Sequence, residues 1–162
     1  MNDLGPLLAR IRLAVFDFDG VFTDNHVLVD QRGEECVRCC RADGFGLRRL
    51  REVGVDAVIL STERVQIAMA RARKLEVPCR HGLGSKLEAL QEEAERRGVA
   101  LADTAYVGND INDAECLEAV GLPIIPADAW PEVARLARWT LERRGGEGCV
   151  REFCDAVWAA RK

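Results

Sequence analysis

Val15-Phe16-Asp17-Phe18-Asp19-Gly20-Val21-Phe22-Thr23-Asp24 is the stretch on which the rest of the chain turns. The apolar run Leu13–Phe16 is too short for a helix and rich in strand formers, so it reads as a buried strand. It ends in two carboxylates two residues apart, then a glycine. Alternate residues of a strand point the same way, so Asp17 and Asp19 can face one site. Two like charges held close are costly unless a cation or a shared proton offsets them. Asp and Gly are also ordinary turn residues, so whether this is a site or a turn depends on the other strand ends.

The rest of the chain alternates. Residues 1–12 make a short helix or a loose lead-in, punctuated by Gly5-Pro6. His26–Val29 and Glu35–Cys40 flank the turn Asp30-Gln31-Arg32-Gly33 and predict a β-hairpin, a flap over residues 26–41. Asp43 is placed to cap a helix from Phe45 to Val53, stopped by Gly54. Asp56–Leu60 is a buried strand ending at Ser61-Thr62. A helix is expected from Glu63 to Leu75, with Val65, Ala68, Ala72 and Leu75 on one face. Cys79–His81 forms a short strand, and Ser85 caps a helix to Arg97, stopped by Gly98. Thr104–Val107 is a strand ending at Gly108-Asn109-Asp110. A short helix through Leu117, strand Leu122–Ile125, a helix from Trp130-Pro131 to Ala137 and a last helix Val150–Ala159 complete the chain.

Strands alternating with helices define an α/β fold, a Rossmann-like parallel sheet with helices on both faces, as one domain over residues 1–162. Ligands of such sheets bind at the carboxyl ends of the strands. Asp17, Asp19, Ser61, Thr62, Asn109, Asp110 and Asp113 all follow strands, and Lys86 opens a helix that can lean over the same edge. Carboxylates with a hydroxyl and a lysine suit a phosphate ester and a divalent cation, and oxygen ligands favour Mg²⁺. A flavodoxin-like receiver domain with an acidic pocket is the competing reading of that edge.

Composition narrows the class. A chain of 162 residues can bury a proper core. A net charge of −4 without a Lys/Arg run argues against nucleic-acid binding. No apolar run reaches membrane-spanning length, and no signal-peptide pattern opens the sequence, so a cytoplasmic location is expected. The seven cysteines are read as reduced thiols. Cys36-x-x-Cys39-Cys40 lacks a second pair at zinc spacing, and adjacent Cys39 and Cys40 would face opposite sides of a strand.

Four segments in order, Asp17-Phe18-Asp19-Gly20-Val21-Phe22-Thr23-Asp24, Ser61, Lys86 and Gly108-Asn109-Asp110-x-x-Asp113, resemble the haloacid dehalogenase superfamily of phosphatases. With Asp43-Gly44-Phe45-Gly46 and Gly145-Gly146-x-Gly148-x-x-Arg151-Glu152, the match extends to its capless 3-deoxy-octulosonate-8-phosphate and nonulosonate-9-phosphate phosphatases. The chain is also similar to the phosphatase-like C-terminal domain of acylneuraminate cytidylyltransferases. The resemblance implies Asp17 as nucleophile, Asp19 as acid/base, and Ser61 and Lys86 as phosphoryl binders. It implies Mg²⁺ on Asp17, Asp19 and Asn109 or Asp110, and substrate contacts from Thr23, Thr62, Glu63, Arg71 and Lys74. The spacings independently leave no room for a lid domain. The resemblance implies that a homotetramer closes the site instead, and it suggests a functional link to a cytidylyltransferase.

Thr62-Glu63 stands where the eight-carbon phosphatases carry Gly-Arg. With Arg71 and Lys74 on the next helix, this favours a nine-carbon, sialic-type substrate over octulosonate 8-phosphate. Asn109 replaces the Asp of the usual Gly-Asp-Asp, which raises a second class: a tetramerisation or regulatory module with reduced catalysis. A phosphomutase is disfavoured because it would need a lid to exclude water. The glycine cluster is a turn that, by the resemblance, lets the C-terminal segment approach an active site, its own or a neighbour's.

Overall fold

The computed structural model describes residues 4–64 and 66–162. Its centre is a six-stranded, all-parallel sheet of β1 (Leu13–Phe16), β4 (Asp56–Leu60), β5 (Cys79–Arg80), β6 (Thr104–Val107), β7 (Leu122–Ile125) and β8 (Trp139–Thr140). The spatial order is β5-β4-β1-β6-β7-β8. The chain thus builds outward from β1 through β4 to β5, then crosses back to lay β6 on the other side of β1. That reversal opens a crevice above the carboxyl ends of β1 and β6, where sheets of this kind receive ligands.

The period-two alternation of the strands divides the core. Ala14, Phe16, Ile59, Val107 and Ile124 face one side, under α1 (Gly5–Arg10), α2 (Ala42–Glu52), α3 (Ile67–Leu75) and α7 (Cys149–Ala160). Leu13, Val15, Val58, Leu60 and Tyr106 face the other, under α4 (Lys86–Arg97), α5 (Ala114–Ala119) and α6 (Pro131–Ala134). β1 and β6 are wholly buried, as strands covered on both faces must be. A hairpin, β2 (Leu28–Val29) and β3 (Glu35–Cys36), follows β1 and is tied back by a Thr23–Cys39 bridge. No helix among the described residues is long and apolar enough to cross a membrane.

Several elements differ from expectation. The hairpin ladder stops at Cys36 rather than reaching Cys40, and the described cysteines are free thiols. α2 starts at Ala42, not Phe45, and Asp43 does not cap it. Instead the Asp43 Oδ1 accepts the backbone N–H of Arg151, a donor in the first turn of α7 that would otherwise lack a partner. Local sequence points Asp43 at its own helix; the tertiary fold gives it to another. α3 starts at Ile67, so Glu63 and Arg64 lie in the loop before it, while Val65 is outside the described residues. Ala68, Ala72 and Leu75 form its buried stripe as the periodicity required. α6 ends at Ala134 rather than Ala137, and β8 was not anticipated from its mixed, two-residue sequence.

The glycine cluster is a close-packed support rather than a free turn. A β-carbon on Gly145 would lie 2.0 Å from the Gly20 carbonyl oxygen, and one on Gly146 2.5 Å from the Asp24 nitrogen. Gly146 N–H donates to the Val21 carbonyl. The C-terminal segment therefore braces the 17–24 loop of its own chain from behind.

Candidate active site

The carboxyl ends of β1, β4 and β6 place Asp17, Ser61 and Asn109 side by side, because these strands are hydrogen-bonded neighbours in register. Lys86, in the first turn of α4, reaches in from the second face. Its Nζ lies 2.8 Å from Asp17 Oδ1 and 2.7 Å from Asp113 Oδ1, with all three side chains buried. Taking one charge out of water costs several kcal/mol, so such a cluster persists only when each member is paired.

Asp113 is the hub. Its Oδ1 accepts from Lys86 and from the Tyr106 hydroxyl at 2.7 Å, and its Oδ2 accepts from the backbone N–H of Asn109 and Asp110 at 2.8 and 3.3 Å. The carboxylate thereby fixes both the lysine and the loop after β6. Tyr106 carried no functional signal beyond being a tyrosine in an otherwise apolar, buried strand, a setting in which its hydroxyl must find a partner. Burial and the negative charge of Asp113 drive its pKa well above the usual value, so it stays a neutral donor.

Burial, and then Asp113, push the Asp17 carboxyl up to about 8, against the pull of Lys86. Asp19 is half-buried and also raised, by desolvation first and by Glu63 and Glu35 next. A carboxyl raised in this way can hold a proton to deliver.

Two oxygens, Asp17 Oδ2 and the Asp19 carbonyl, converge on one end of the Asn109 side-chain amide, where its nitrogen can donate to both. The side-chain amide position of Asn109 that faces inward lies 3.2 Å from Asp17 Oδ2 and 2.9 Å from the Asp19 carbonyl. Oxygens on adjacent vertices of an octahedron with bonds of about 2.1 Å stand about 3.0 Å apart. With the Asn109 amide turned to present its oxygen, the residues would fit a small hard cation through a carboxylate, a carbonyl and an amide oxygen. No three His, Cys, Asp or Glu side chains converge for a metal among the described residues; the donor set does not need them. Asp110 lines the same 150 Å³ cleft, with Oδ1 committed to the Ile111 N–H.

The other expected site residues divide. Thr62 and Glu63 line the cleft with Asp17 and Asp19. Ser61 is buried, its hydroxyl oxygen accepting from the Glu63 N–H. Thr23 is fully buried, and its hydroxyl oxygen accepts from the Gly20 and Asn25 N–H groups; it shapes the loop and is not among the described residues that line the two clefts at the edge. Arg71 and Lys74 lie elsewhere, in a 410 Å³ cleft with Arg41, Phe45 and Arg48. A further 230 Å³ cleft beside Asp19 is walled by Asn25, His26, Val27 and Glu35 of the hairpin and by Glu63. No lysine or arginine lines it.

An aspartate pair, a buried lysine and the Asn109 side-chain amide on a capless α/β sheet define a phosphatase of the haloacid dehalogenase type. Residues 80–152 match the family model for haloacid dehalogenase-like hydrolases. Over 161 residues the chain is 32% identical to 3-deoxy-D-manno-octulosonate 8-phosphate phosphatase KdsC of Yersinia pestis, covering 99% of this chain and 86% of that one. A haloacid dehalogenase family hydrolase of Streptomyces avermitilis superposes with a TM-score of 0.88 at 42% identity, over 91% of this chain and 84% of the other. The Moraxella catarrhalis 3-deoxy-D-manno-octulosonate 8-phosphate phosphatase, solved with magnesium, phosphate and KDO, superposes with a TM-score of 0.94 at 26% identity, over 99% and 93%. The chain belongs to the haloacid dehalogenase-like hydrolases, in the family of the 3-deoxy-D-manno-octulosonate 8-phosphate phosphatases.

Proposed function

We propose that the chain is a Mg²⁺-dependent phosphatase of a 2-keto-3-deoxy sugar acid phosphate, with octulosonate 8-phosphate as the first substrate to test. The observation that carries the reading is the buried Asp17–Lys86–Asp113 cluster beside the Asn109 side-chain amide. Bound Mg²⁺, on Asp17, the Asp19 carbonyl and Asn109 or Asp110, supplies charge neutralisation for the carboxylates and the phosphoryl group. Asp17 attacks phosphorus, forming an aspartyl-phosphate as the bond to the sugar oxygen breaks. Asp19 gives its proton to that oxygen, then takes one from the water that attacks phosphorus and frees Asp17. Lys86 and Ser61 bind the phosphoryl oxygens where charge develops.

The substrate's carboxylate has no lysine or arginine partner among the described residues of the cleft beside Asp19, which offers carboxylates, His26 and Asn25. That lining suits hydroxyls. The cations stand in the separate cleft of Arg41, Arg48, Arg71 and Lys74. We infer that a second copy brings this cleft to the first copy's site, in a homotetramer joined through the hairpins, whose Val27, Leu28 and Val29 are 47%, 77% and 61% exposed. A cytidylyltransferase acting on the released acid is the expected functional neighbour.

The eight-carbon substrate takes first place over the nine-carbon one favoured by Thr62-Glu63 because the curated relatives act, by name, on octulosonate 8-phosphate. The nonulosonate reading keeps one support: Glu63, at the position of the departure, lines the cleft beside Asp19. The experiment is phosphate release from octulosonate 8-phosphate, nonulosonate 9-phosphate and an aryl phosphate, with Mg²⁺ and with chelator. Mg²⁺-dependent preference for the eight-carbon ester supports the proposal. Preference for the nine-carbon ester reverses the order, and no release from any would favour the non-catalytic module.

A further inference from the structure

Asn109 is held so that only one thing about it can change. Its backbone N–H donates to Asp113 Oδ2 and its carbonyl accepts from the Trp130 N–H. The residue is 5% exposed. Its amide lies flat against Gly20, where a β-carbon would come within 2.0 Å of it. The side chain can exchange its two ends by a half-turn about its terminal torsion, a soft twofold rotation.

The two orientations suit different occupants. With nitrogen inward, the amide donates to Asp17 Oδ2 at 3.2 Å and the Asp19 carbonyl at 2.9 Å, which satisfies both acceptors without a cation. With oxygen inward, three acceptors face one another, an arrangement that is unfavourable alone and suited to a hard cation. An ionised aspartate there could serve only the second state. Without a cation it would set another acidic group about 3 Å from Asp17, beside a cluster in which two carboxyl groups already share Lys86.

We propose that Asn109 is a built-in substitute for the cation: its amide nitrogen holds Asp17 and Asp19 in the metal-free chain and turns out to present oxygen when Mg²⁺ binds. The metal-free chain is then a properly hydrogen-bonded, stable state, and Mg²⁺ binding must first displace an internal competitor. This rests on the Mg²⁺ dependence proposed above and concerns how the site exchanges its metal.

The test needs no substrate. The Asn109 side-chain amide resonance of the whole chain is assigned sequentially and followed during Mg²⁺ titration. Inward donation predicts amide protons protected from exchange in chelator, with protection falling at least about tenfold as Mg²⁺ saturates. Calorimetry and melting then compare Asn109→Asp and Asn109→Ala. Asn109→Asp is expected to bind Mg²⁺ at least about tenfold more tightly and to melt lower in chelator than the native chain. Asn109→Ala is expected to melt lower in chelator without tighter binding. An amide that ignores a calorimetrically saturating Mg²⁺, or an Asp variant as stable as the native chain in chelator, overturns the proposal. Phosphate release insensitive to chelator would instead overturn the Mg²⁺ reading beneath it, so the two failures are distinct.

Discussion

The molecule has two clefts of opposite character. The one over the carboxyl edge holds Asp17, Asp19, Glu63 and Asp110, and Lys86, which pairs with Asp17 behind it, is buried and already shared between two carboxyl groups. The other gathers Arg41, Arg48, Arg71 and Lys74 around Phe45 and has no nucleophile or acid. The first can break a phosphate ester but offers no cation to a sugar acid's carboxylate. The second can hold such a carboxylate but transforms nothing. On the function proposed above, chemistry and recognition would be divided between separate surfaces of one small chain, and assembly would be a condition of specificity rather than of the reaction.

The separation can be broken from either side. Asp17→Asn strikes the acidic cleft and should lower kcat by at least about 10³-fold on every ester, read by phosphate release, with little change in melting. Replacing Arg71 and Lys74 together by Ala should raise KM for the sugar acid phosphate about a hundredfold, roughly 3 kcal/mol, with a far smaller change on an aryl phosphate that lacks the carboxylate. Equal losses on both esters would mean the basic cleft acts through folding rather than recognition.

The basic side also contains one buried carboxyl. Burial lifts Asp43 from its ordinary 3.8 to about 6, only partly countered by the Arg151 N–H and by Arg71. Its Oδ2 has no partner. Between these values the folded chain holds a proton that the unfolded chain has released, so stability present below about pH 4 is lost as pH rises through about 6. Asp43→Asn, which keeps the acceptor for Arg151, should remove roughly 1–3 kcal/mol of that decline in Mg²⁺-saturated urea unfolding between pH 4 and 7. The smallest effect is expected at Tyr106→Phe. Losing one of the four donors on Asp113 should cost about tenfold in kcat with KM nearly unchanged, measured under saturating Mg²⁺.

What could be read from the chain divides along the same line. The acidic cleft was legible because strand ends are marked locally: an apolar run, then Asp17, Ser61 or Asn109. The rule for parallel sheets does the rest. Asp43, Tyr106 and the Gly145-Gly146 brace were not legible as parts of one support. Their partners, Arg151, Asp113 and the backbone of Gly20 and Asp24, are chosen by tertiary packing, which no spacing along the chain encodes. The start of α3 was misplaced for a related reason. Glu63 and Arg64 continue a helical pattern but are drawn into the loop, where Gly82 N–H donates to the Glu63 carbonyl.

The most direct test is to trap the covalent intermediate. Borohydride added during turnover of a sugar acid phosphate with Mg²⁺ reduces an aspartyl-phosphate to homoserine, which peptide mass spectrometry locates. The account predicts homoserine at position 17, dependent on both substrate and Mg²⁺. Conversion at another aspartate, or phosphate released from an enzyme that is never modified at Asp17, would contradict it.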